Sequence, residues 1–195
     1  MKRKDITKLL TEILIANKLS DRKYYAKEVT IDYGKENQKR VDVMQFVPQG
    51  ILSPSGIEKG IFICYEIKSC KQDIYSGSGL NFLGEKNYIV TTMQTYNDLK
   101  EDLTNGVLMQ YIKEHYPESS KSFGIMVPVL ACIDLRNTQD VYNEMIHPAE
   151  FNGSISVSAW KMYTIYPCHE SNRQHSMVEL LFNMLRSKHN YSNHI

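Results

Sequence analysis

The spacing of apolar residues predicts a helix near each end of the chain. Between residues 5 and 19 they recur every three or four positions, as on one face of an amphipathic helix, and Asp5 is a suitable N-cap. Near the other end, Ser176 and Glu179 have the spacing of a capping box and precede a second apolar stripe. We therefore expect a terminal helix over residues 176–189.

Between these helices, shorter apolar runs bounded by turn residues predict strands. Five strands are expected, over residues 25–33, 40–47, 61–69, 88–92 and 123–130. Residues 95–116 predict a helix in two pieces, broken near Asn105 and Gly106, whereas residues 48–60 predict a long loop rich in Pro, Gly and Ser. The segment 155–166 is typical of a strand pair.

The order of these elements indicates a mixed α/β (α+β) fold. A helix and three strands are followed by a loop, a strand–helix–strand unit and the terminal helix. No linker rich in Gly, Pro or Ser divides the chain, so we expect one domain over residues 1–195. Its core is expected over about residues 5–130, and the pattern leaves residues 131–175 without a firm assignment.

Composition and charge narrow the functional classes. With 42% hydrophobic and 23% charged residues, the chain is not a disordered tail, a collagen-like repeat or a coiled-coil rod. A net charge of +1 argues against nucleic-acid binding by bulk charge, so such binding needs a local patch or site. No run reaches the ~18 apolar residues of a membrane span, and the basic start is not followed by a continuous apolar segment. We expect a cytoplasmic protein with no membrane partner.

The four cysteines include no C-x-x-C pair. In a chain without a secretion signal we expect them to be reduced and scattered through the core. Cys168, His169 and His175 lie close together in the sequence and leave a metal or iron–sulfur site as the alternative.

The strand over residues 61–69 carries the candidate chemistry. Side chains alternate along a strand, so Glu66 and Lys68 share one face with Phe62 and Cys64, while the opposite face is wholly apolar. A strand that is apolar on both sides is a buried central strand. A carboxylate and an ammonium at its end cost desolvation free energy unless each other, a metal or a phosphate compensates.

Asp42 supplies a second carboxylate from the preceding strand. If the strands over residues 40–47 and 61–69 pair as a hairpin, Asp42 and Glu66 converge. Two carboxylates at a strand junction suit Mg²⁺, which prefers oxygen ligands and keeps several waters. The alternative is a solvated cross-strand ion pair worth ~0–1 kcal/mol and without function. The apolar strand and its acidic neighbour favour the site.

These segments resemble a known family. A helix, a strand with Val41-Asp42-Val43, and then YEIKS with Glu66 and Lys68 resemble the core of the PD-(D/E)XK nuclease superfamily. More narrowly, YEIKSCKQD followed by NFLGEKNYIV is similar to the MmcB-like and phage-encoded branch. The resemblance covers residues 5 to about 103 and, loosely, the last twenty. It implies a restriction-endonuclease-like αβββαβ core with a mixed central sheet flanked by helices, although Val41 stands where the name-giving proline would be.

The resemblance also implies roles for individual residues. Asp42 and Glu66 would be metal ligands, together with the backbone carbonyl of Ile67. Lys68 would orient or deprotonate the attacking water and stabilise charge on the phosphate. Glu12 occupies the place of the family's first-helix acid, but an acid on the flank of an apolar stripe is equally well explained by solvation.

The segment after the Glu-x-Lys strand offers further candidates for substrate contact. Lys71 and Gln72 could touch phosphates, with simple solvent exposure as the alternative. The Ser76-Gly77-Ser78-Gly79 stretch lacks the ending of a P-loop, and we interpret it as a flexible turn beside the site.

The expected function is therefore that of a Mg²⁺- or Mn²⁺-dependent (endo)deoxyribonuclease acting in DNA repair, recombination or phage DNA metabolism. A catalytically inactive nuclease-fold module that binds nucleic acid or regulates is the alternative, and an unrelated α/β domain is a third. DNA is the expected partner. The sequence leaves the oligomeric state open, with a homodimer or a protein partner as options.

Overall fold

The centre of the fold is one mixed β-sheet. The computed structural model describes residues 1–19, 23–36, 38–50 and 52–190. In these ranges six strands lie side by side in the order in which they occur along the chain. They are β1 (Tyr24–Ile31), β2 (Lys39–Val47), β3 (Ile61–Ile67), β4 (Lys86–Val90), β5 (Gly124–Leu130) and β6 (Trp160–Tyr166). The first three strands are antiparallel, β3, β4 and β5 are parallel, and β6 returns antiparallel to β5.

Helices lie between and outside the strands. In the described ranges they are α1 (Arg3–Leu14), α2 (Pro54–Glu58), α3 (Lys71–Ile74), α4 (Met93–Thr104), α5 (Val107–His115), α6 (Thr138–Ile146) and α7 (Met177–Asn190). A π-helical turn, Ile15–Leu19, continues α1, and a 3-10 turn, Val157–Ala159, precedes β6. None of the helices in these ranges is long and apolar enough to cross a membrane.

The helices cover both faces of the sheet. On one face, α1 packs its buried residues, among them Leu10 and Ile13, against side chains of β2, β3 and β4. On the opposite face, α7 packs Leu180 and Met184 against β1, β2 and β3, while α4 and α5 cover β4 and β5. Because side chains alternate along β3, Glu66 points to the face that α7, α4 and α5 cover.

The α+β class with a mixed sheet flanked by helices is confirmed. Several boundaries are wrong. Asp5 is not the N-cap, because its N–H already donates to the carbonyl of Lys2 inside the first turn. The loop 48–60 contains α2, and the expected strand pair over 155–166 is a 3-10 turn followed by the single strand β6. In the C-terminal capping box, Ser176 Oγ accepts from the N–H of Glu179 as expected.

The structure adds α6 in the stretch that the pattern left unassigned. Its apolar residues Tyr142 and Ile146 are exposed, whereas Glu144 is its buried residue, so the apolar pattern does not match the burial. The carboxylate of Glu144 accepts a hydrogen bond from the N–H of Ala149, which fixes the chain after the helix. A helix of this kind is held by tertiary contacts and caps, so hydrophobic periodicity does not reveal it.

Candidate active site

Strand pairing brings the two predicted carboxylates together. In the antiparallel β2–β3 pair, Val43 lies opposite Tyr65 and Met44 opposite Cys64. The ladder ends at Val43 and Tyr65, and Asp42 and Glu66 are the next residues along the two strands. The hairpin expected from the sequence is therefore present. Asp42 Oδ2 also accepts a hydrogen bond from the N–H of Ile67 at 2.7 Å, which holds this carboxylate at the end of β3.

Glu66 is a fully buried acid with half of its hydrogen-bonding capacity unused. Its Oε1 accepts from the N–H of Asn81 at 3.3 Å. Its Oε2 has no hydrogen-bond partner among the described residues. Burial raises the pKa of Glu66 well above the usual range of a glutamate, and the neighbouring Asp42 raises it further, while Lys68 acts in the opposite direction. Burial likewise raises the pKa of Asp42. Two buried acids thus lie within the electrostatic influence of one ammonium, that of Lys68.

Lys68 is buried and held on three sides. Its Nζ donates to the carbonyl of Ser78 at 2.7 Å. Its own N–H donates to the carbonyl of Val90, and its carbonyl accepts from Thr91 Oγ1 at 2.7 Å. These bonds tie the end of β3 to the end of β4. The ammonium therefore has a fixed place beside Glu66.

The Gly/Ser turn closes over this pair of side chains. Gly79 has a left-handed backbone with φ of +71°, and a Cβ at this position would lie 2.9 Å from Lys68 Nζ and 3.4 Å from Glu66 Oε2. Only glycine combines that backbone with that approach. Together with the Ser78 carbonyl, this places the turn beside the site, as the sequence indicated.

An open cavity of about 540 Å³ gives access to the cluster. Asp42, Ile67 and Lys68 line it, together with the Gly77–Gly79 turn and residues from the β1–β2 side of the sheet. Glu66 lies behind this wall, next to Lys68, Gly79 and Asn81. The walls are predominantly polar, which suits a charged ligand better than an apolar one.

Glu28 belongs to the site but is not apparent from the sequence. In the β1–β2 register, Lys27 lies opposite Val43 and Val29 opposite Val41, so Glu28 falls opposite Asp42. Glu28, Asp42 and Glu66 therefore form a row of acids across three neighbouring strands. The backbone of Glu28 is left-handed, with φ of 53°, an unfavourable conformation for a residue with a side chain.

Glu28 is held at the cavity wall by a cation. Its Oε2 lies 2.9 Å from Arg40 Nε, and both residues line the cavity. Burial raises the pKa of Glu28, the Arg40 guanidinium lowers it, and the charge of Asp42 raises it. No spacing rule marks Glu28, because its place depends on the pairing of two strands and on one unusual backbone angle.

Asp73 is a second residue that the sequence analysis missed. Its Oδ2 accepts from both the N–H and the Oγ of Ser69, at 2.9 and 3.0 Å, and this fixes α3 against the end of β3. Asp73 also lines the cavity. An acid three residues before a Gly/Ser turn could have been taken for a local cap, which is part of what it does here.

Glu12 lies apart from the main cavity. Its side chain is 48% exposed and lies 4.0 Å from Lys8 Nζ. It lines a smaller neighbouring cavity of about 290 Å³, to which Glu28 and Asp42 also contribute. The structure thus places Glu12 near Asp42 on the outer side, in the solvated position that the sequence left as the alternative.

Lys71 and Gln72 do not line the main cavity. Lys71 Nζ lies 2.8 Å from Asp102 Oδ2 and donates to the carbonyl of Asp98. Gln72 Oε1 accepts from Arg3 at 3.2 Å. Contact of these two side chains with phosphate remains a prediction, and it would require both to leave their present partners.

The donor set of the site suits a hard divalent cation. Asp42 and Glu66 offer carboxylate oxygens, one of them buried and unpartnered, and Ile67 offers a carbonyl at the same strand end. Mg²⁺ binds through one or two carboxylates and leaves further positions to water and phosphate oxygens. In the part of the chain that the structure describes, no three His, Cys, Asp or Glu side chains cluster closely enough to hold an ion.

Comparisons of the chain with protein-family models, with curated proteins and with solved structures found no match.

Proposed function

We propose that this protein is a metal-dependent nuclease that hydrolyses DNA phosphodiester bonds on a restriction-endonuclease-like core. The observation that carries the proposal is the junction of β2 and β3. There Asp42, which accepts from the N–H of Ile67, lies near Glu66 and the buried Lys68, and one oxygen of Glu66 has no partner among the described residues. Structural acids in a buried cluster are normally paired on every oxygen, so this arrangement favours a ligand.

The order of elements supports the same proposal. α1 is followed by the antiparallel strands β1, β2 and β3, with the short α2 between β2 and β3, then by the single-turn α3, and then by β4 parallel to β3. This agrees with the αβββαβ order that the sequence resemblance implies. The acids and the lysine lie where β2 and β3 meet at the centre of that unit.

Asp42, Glu66 and the Ile67 carbonyl would hold the cation. A bound Mg²⁺ or Mn²⁺ polarises a phosphoryl oxygen and lowers the pKa of a water, which makes hydrolysis feasible at neutral pH. The excess of carboxylates over ammonium in the cluster is the electrostatic reason for a cation to enter. The positive charge of that bound cation would also allow a chain of net charge +1 to act on a polyanion.

Lys68 contributes a fixed proton donor. Its ammonium is held by the Ser78 carbonyl and lies at the cavity wall, so it can donate to a phosphate oxygen or orient a water without first losing side-chain entropy. In the hydrolysis, the water oxygen bonds to phosphorus, one P–O ester bond breaks, and the leaving oxygen takes up a proton. Arg40 also lines the cavity, paired through Nε with Glu28, and offers a planar guanidinium suited to a backbone phosphate.

Cleavage of end-labelled single- and double-stranded DNA in Mg²⁺, Mn²⁺ or chelator tests the proposal. Asp42→Asn, Glu66→Gln and Lys68→Met are each expected to lower the metal-dependent rate by about 10²-fold or more. Glu101→Gln, at an exposed position of α4, is the matched control and keeps the wild-type rate. Circular dichroism and melting curves check that each variant is folded at the assay temperature.

Three outcomes would contradict the proposal. Unchanged cleavage in all three site variants would mean that the activity lies elsewhere or in a contaminant. Salt-dependent DNA binding by the wild-type protein, without cleavage in any divalent metal, would instead favour the inactive nucleic-acid-binding module. Absence of both binding and cleavage would favour an unrelated α/β domain.

A further inference from the structure

Helix α7 is apolar on two sides. Its inner side packs Leu180 and Met184 against the sheet. On its outer side, Val178, Phe182 and Leu185 are 77%, 62% and 64% exposed. They follow one another at spacings of four and three residues, as in the seam of a helix that packs against another helix. A helix that needed only to cover this sheet would carry polar residues at these positions.

A groove runs beside this row of exposed side chains. It has a volume of about 250 Å³ and is lined only by apolar and aromatic side chains. Leu181 and Leu185 of α7 form one wall, and the other walls come from β1, β2 and the segment around α2, including Tyr24 and Leu52. Tyr24 and Leu52 are themselves 45% and 58% exposed. The row of exposed side chains on α7 and this groove form one continuous apolar patch, whose exposed members are Tyr24, Leu52, Val178, Phe182 and Leu185.

We propose that this patch is the interface of a two-fold symmetric homodimer in which α7 packs antiparallel to α7 of a second copy. A two-fold interface joins the same patch on both copies, so that patch must contain both the projecting and the receiving shape. Here both occur together and share Leu185. With the axis beside Phe182, the exposed Val178 of each copy faces Leu185 of the other.

Charge along α7 favours the antiparallel arrangement. Glu179 lies in the first turn, with its Oε1 3.1 Å from His175 Nδ1, and Arg186 lies seven residues later, where it donates to the carbonyl of Thr30 and stacks on the ring of Tyr33. Antiparallel pairing brings the acidic beginning of each helix next to the basic end of the other, and it also opposes the two helix dipoles favourably. A parallel pair would place like charges side by side.

The exposed area is sufficient for a weak, specific dimer. The five exposed side chains of the patch present on the order of 500 Å² in each copy, so a two-fold pair would bury roughly 1,000 Å², the lower end of specific interfaces. Interfaces of this size are typical of weak, transient complexes. Dimerisation should therefore depend on concentration over the range that sedimentation equilibrium covers.

Sedimentation equilibrium of the full chain from about 1 to 200 µM tests the proposal. The mass of the wild-type protein is expected to rise from 22.6 kDa towards twice that value. Phe182→Glu should remain a monomer throughout the range with an unchanged circular dichroism spectrum. Tyr142→Glu, at a 56% exposed position of α6, is the matched control and should dimerise as the wild type does.

A charge pair tests the antiparallel register. Val178→Lys and Leu185→Glu should each weaken the dimer at least tenfold, and the double variant should recover most of the loss, because each new lysine then faces a new glutamate. A parallel pair would not be rescued. A wild-type protein that stays monomeric up to 200 µM, or a double variant no better than the single ones, would overturn the proposal. Neither outcome depends on nuclease activity.

Discussion

Glu66 provides the sharpest test of the site, because its removal should stabilise the protein. Among the described residues, Lys68 supplies the one buried ammonium near Asp42 and Glu66, and Oε2 of Glu66 has no hydrogen-bond partner. Glu66→Gln keeps the shape of the side chain and removes one of the two negative charges. Asp42 and Lys68 then remain as a balanced pair. Natural proteins keep a destabilising buried carboxylate of this kind where it is required to bind a ligand.

The size of the effect follows from burial. A buried polar atom without a partner costs about 1–3 kcal/mol, and more if it is charged. The new amide has unsatisfied groups of its own, so we expect a net gain of about 1–2 kcal/mol in the free energy of unfolding. For a chain of this length each kcal/mol shifts the melting temperature by about 2–4 °C, which gives a rise of roughly 2–8 °C.

The stability gained by Glu66→Gln over the wild type must increase as the pH rises. Burial raises the pKa of Glu66 in the folded protein above that of the unfolded chain, and it raises the pKa of Asp42 as well. Below the unfolded value of about 4.3 the carboxyl is protonated in both states, so its burial carries no ionic penalty. As pH rises from there through the folded pKa, the wild-type protein loses stability that the variant keeps. The two proteins should therefore melt together near pH 4.5 and diverge towards pH 9.

Melting curves followed by circular dichroism, in chelator and in millimolar Mg²⁺, provide the assay. Added Mg²⁺ should raise the melting temperature of the wild type at pH 8 and have little effect on Glu66→Gln, because a ligand that binds only the folded state stabilises it. Glu101→Gln should follow the wild type in both conditions. A variant less stable than the wild type at pH 8.5 in chelator, or a difference independent of pH, would show that Glu66 is compensated by Lys68 and would refute the reasoning.

Two further predictions concern Gly79, beside the site, and the ion pair of Glu85 at the opposite end of β3. Gly79→Ala and Gly77→Ala both force a side chain onto a left-handed backbone, at about 1 kcal/mol each, but only the first puts a Cβ 2.9 Å from Lys68 Nζ. Calorimetric titration with Mn²⁺ should show at least tenfold weaker binding for Gly79→Ala alone; equal losses in both variants would exclude a specific role for Gly79. Arg173 Nη1 lies 2.9 Å from Glu85 Oε1, so Arg173→Ala should lower the free energy of unfolding in urea by about 1–3 kcal/mol. The double variant Arg173→Ala with Glu85→Gln should recover part of that loss, and strict additivity would contradict a direct pair.

The strongest elements were predictable because each carries its own burial pattern. The apolar stripe of α1, the alternation in β3 and the stripe of α7 come from residues within one element, and local periodicity records which face is buried. The pairing of Asp42 with Glu66 also followed, since β2 and β3 are consecutive strands and such strands usually pair. The nuclease function itself remains a prediction.

Other features depend on contacts between distant parts of the chain. In α6 the apolar Tyr142 and Ile146 are exposed and Glu144 is buried, so the pattern of apolar residues does not indicate which side packs on the protein. Glu28 reaches the site through the β1–β2 register and a left-handed φ, which no short spacing encodes. The apolar outer row of α7 was visible in the sequence, but it was indistinguishable from the row that packs on the sheet until the sheet showed which side was left exposed.

By itself, the sequence determined the α+β class, most of the strands and the identity of the acids and the lysine at the end of β3. Side-chain alternation and hydrophobic burial produce patterns within a few consecutive residues, so a short stretch of sequence is enough to predict a strand or a helix. Only the tertiary structure decided that Glu66 has a buried oxygen without a partner in the described chain, that Gly79 closes over Lys68, and that Glu28 joins the acidic row. These depend on distances between segments far apart in the chain, and such distances are set by the packing of the whole sheet.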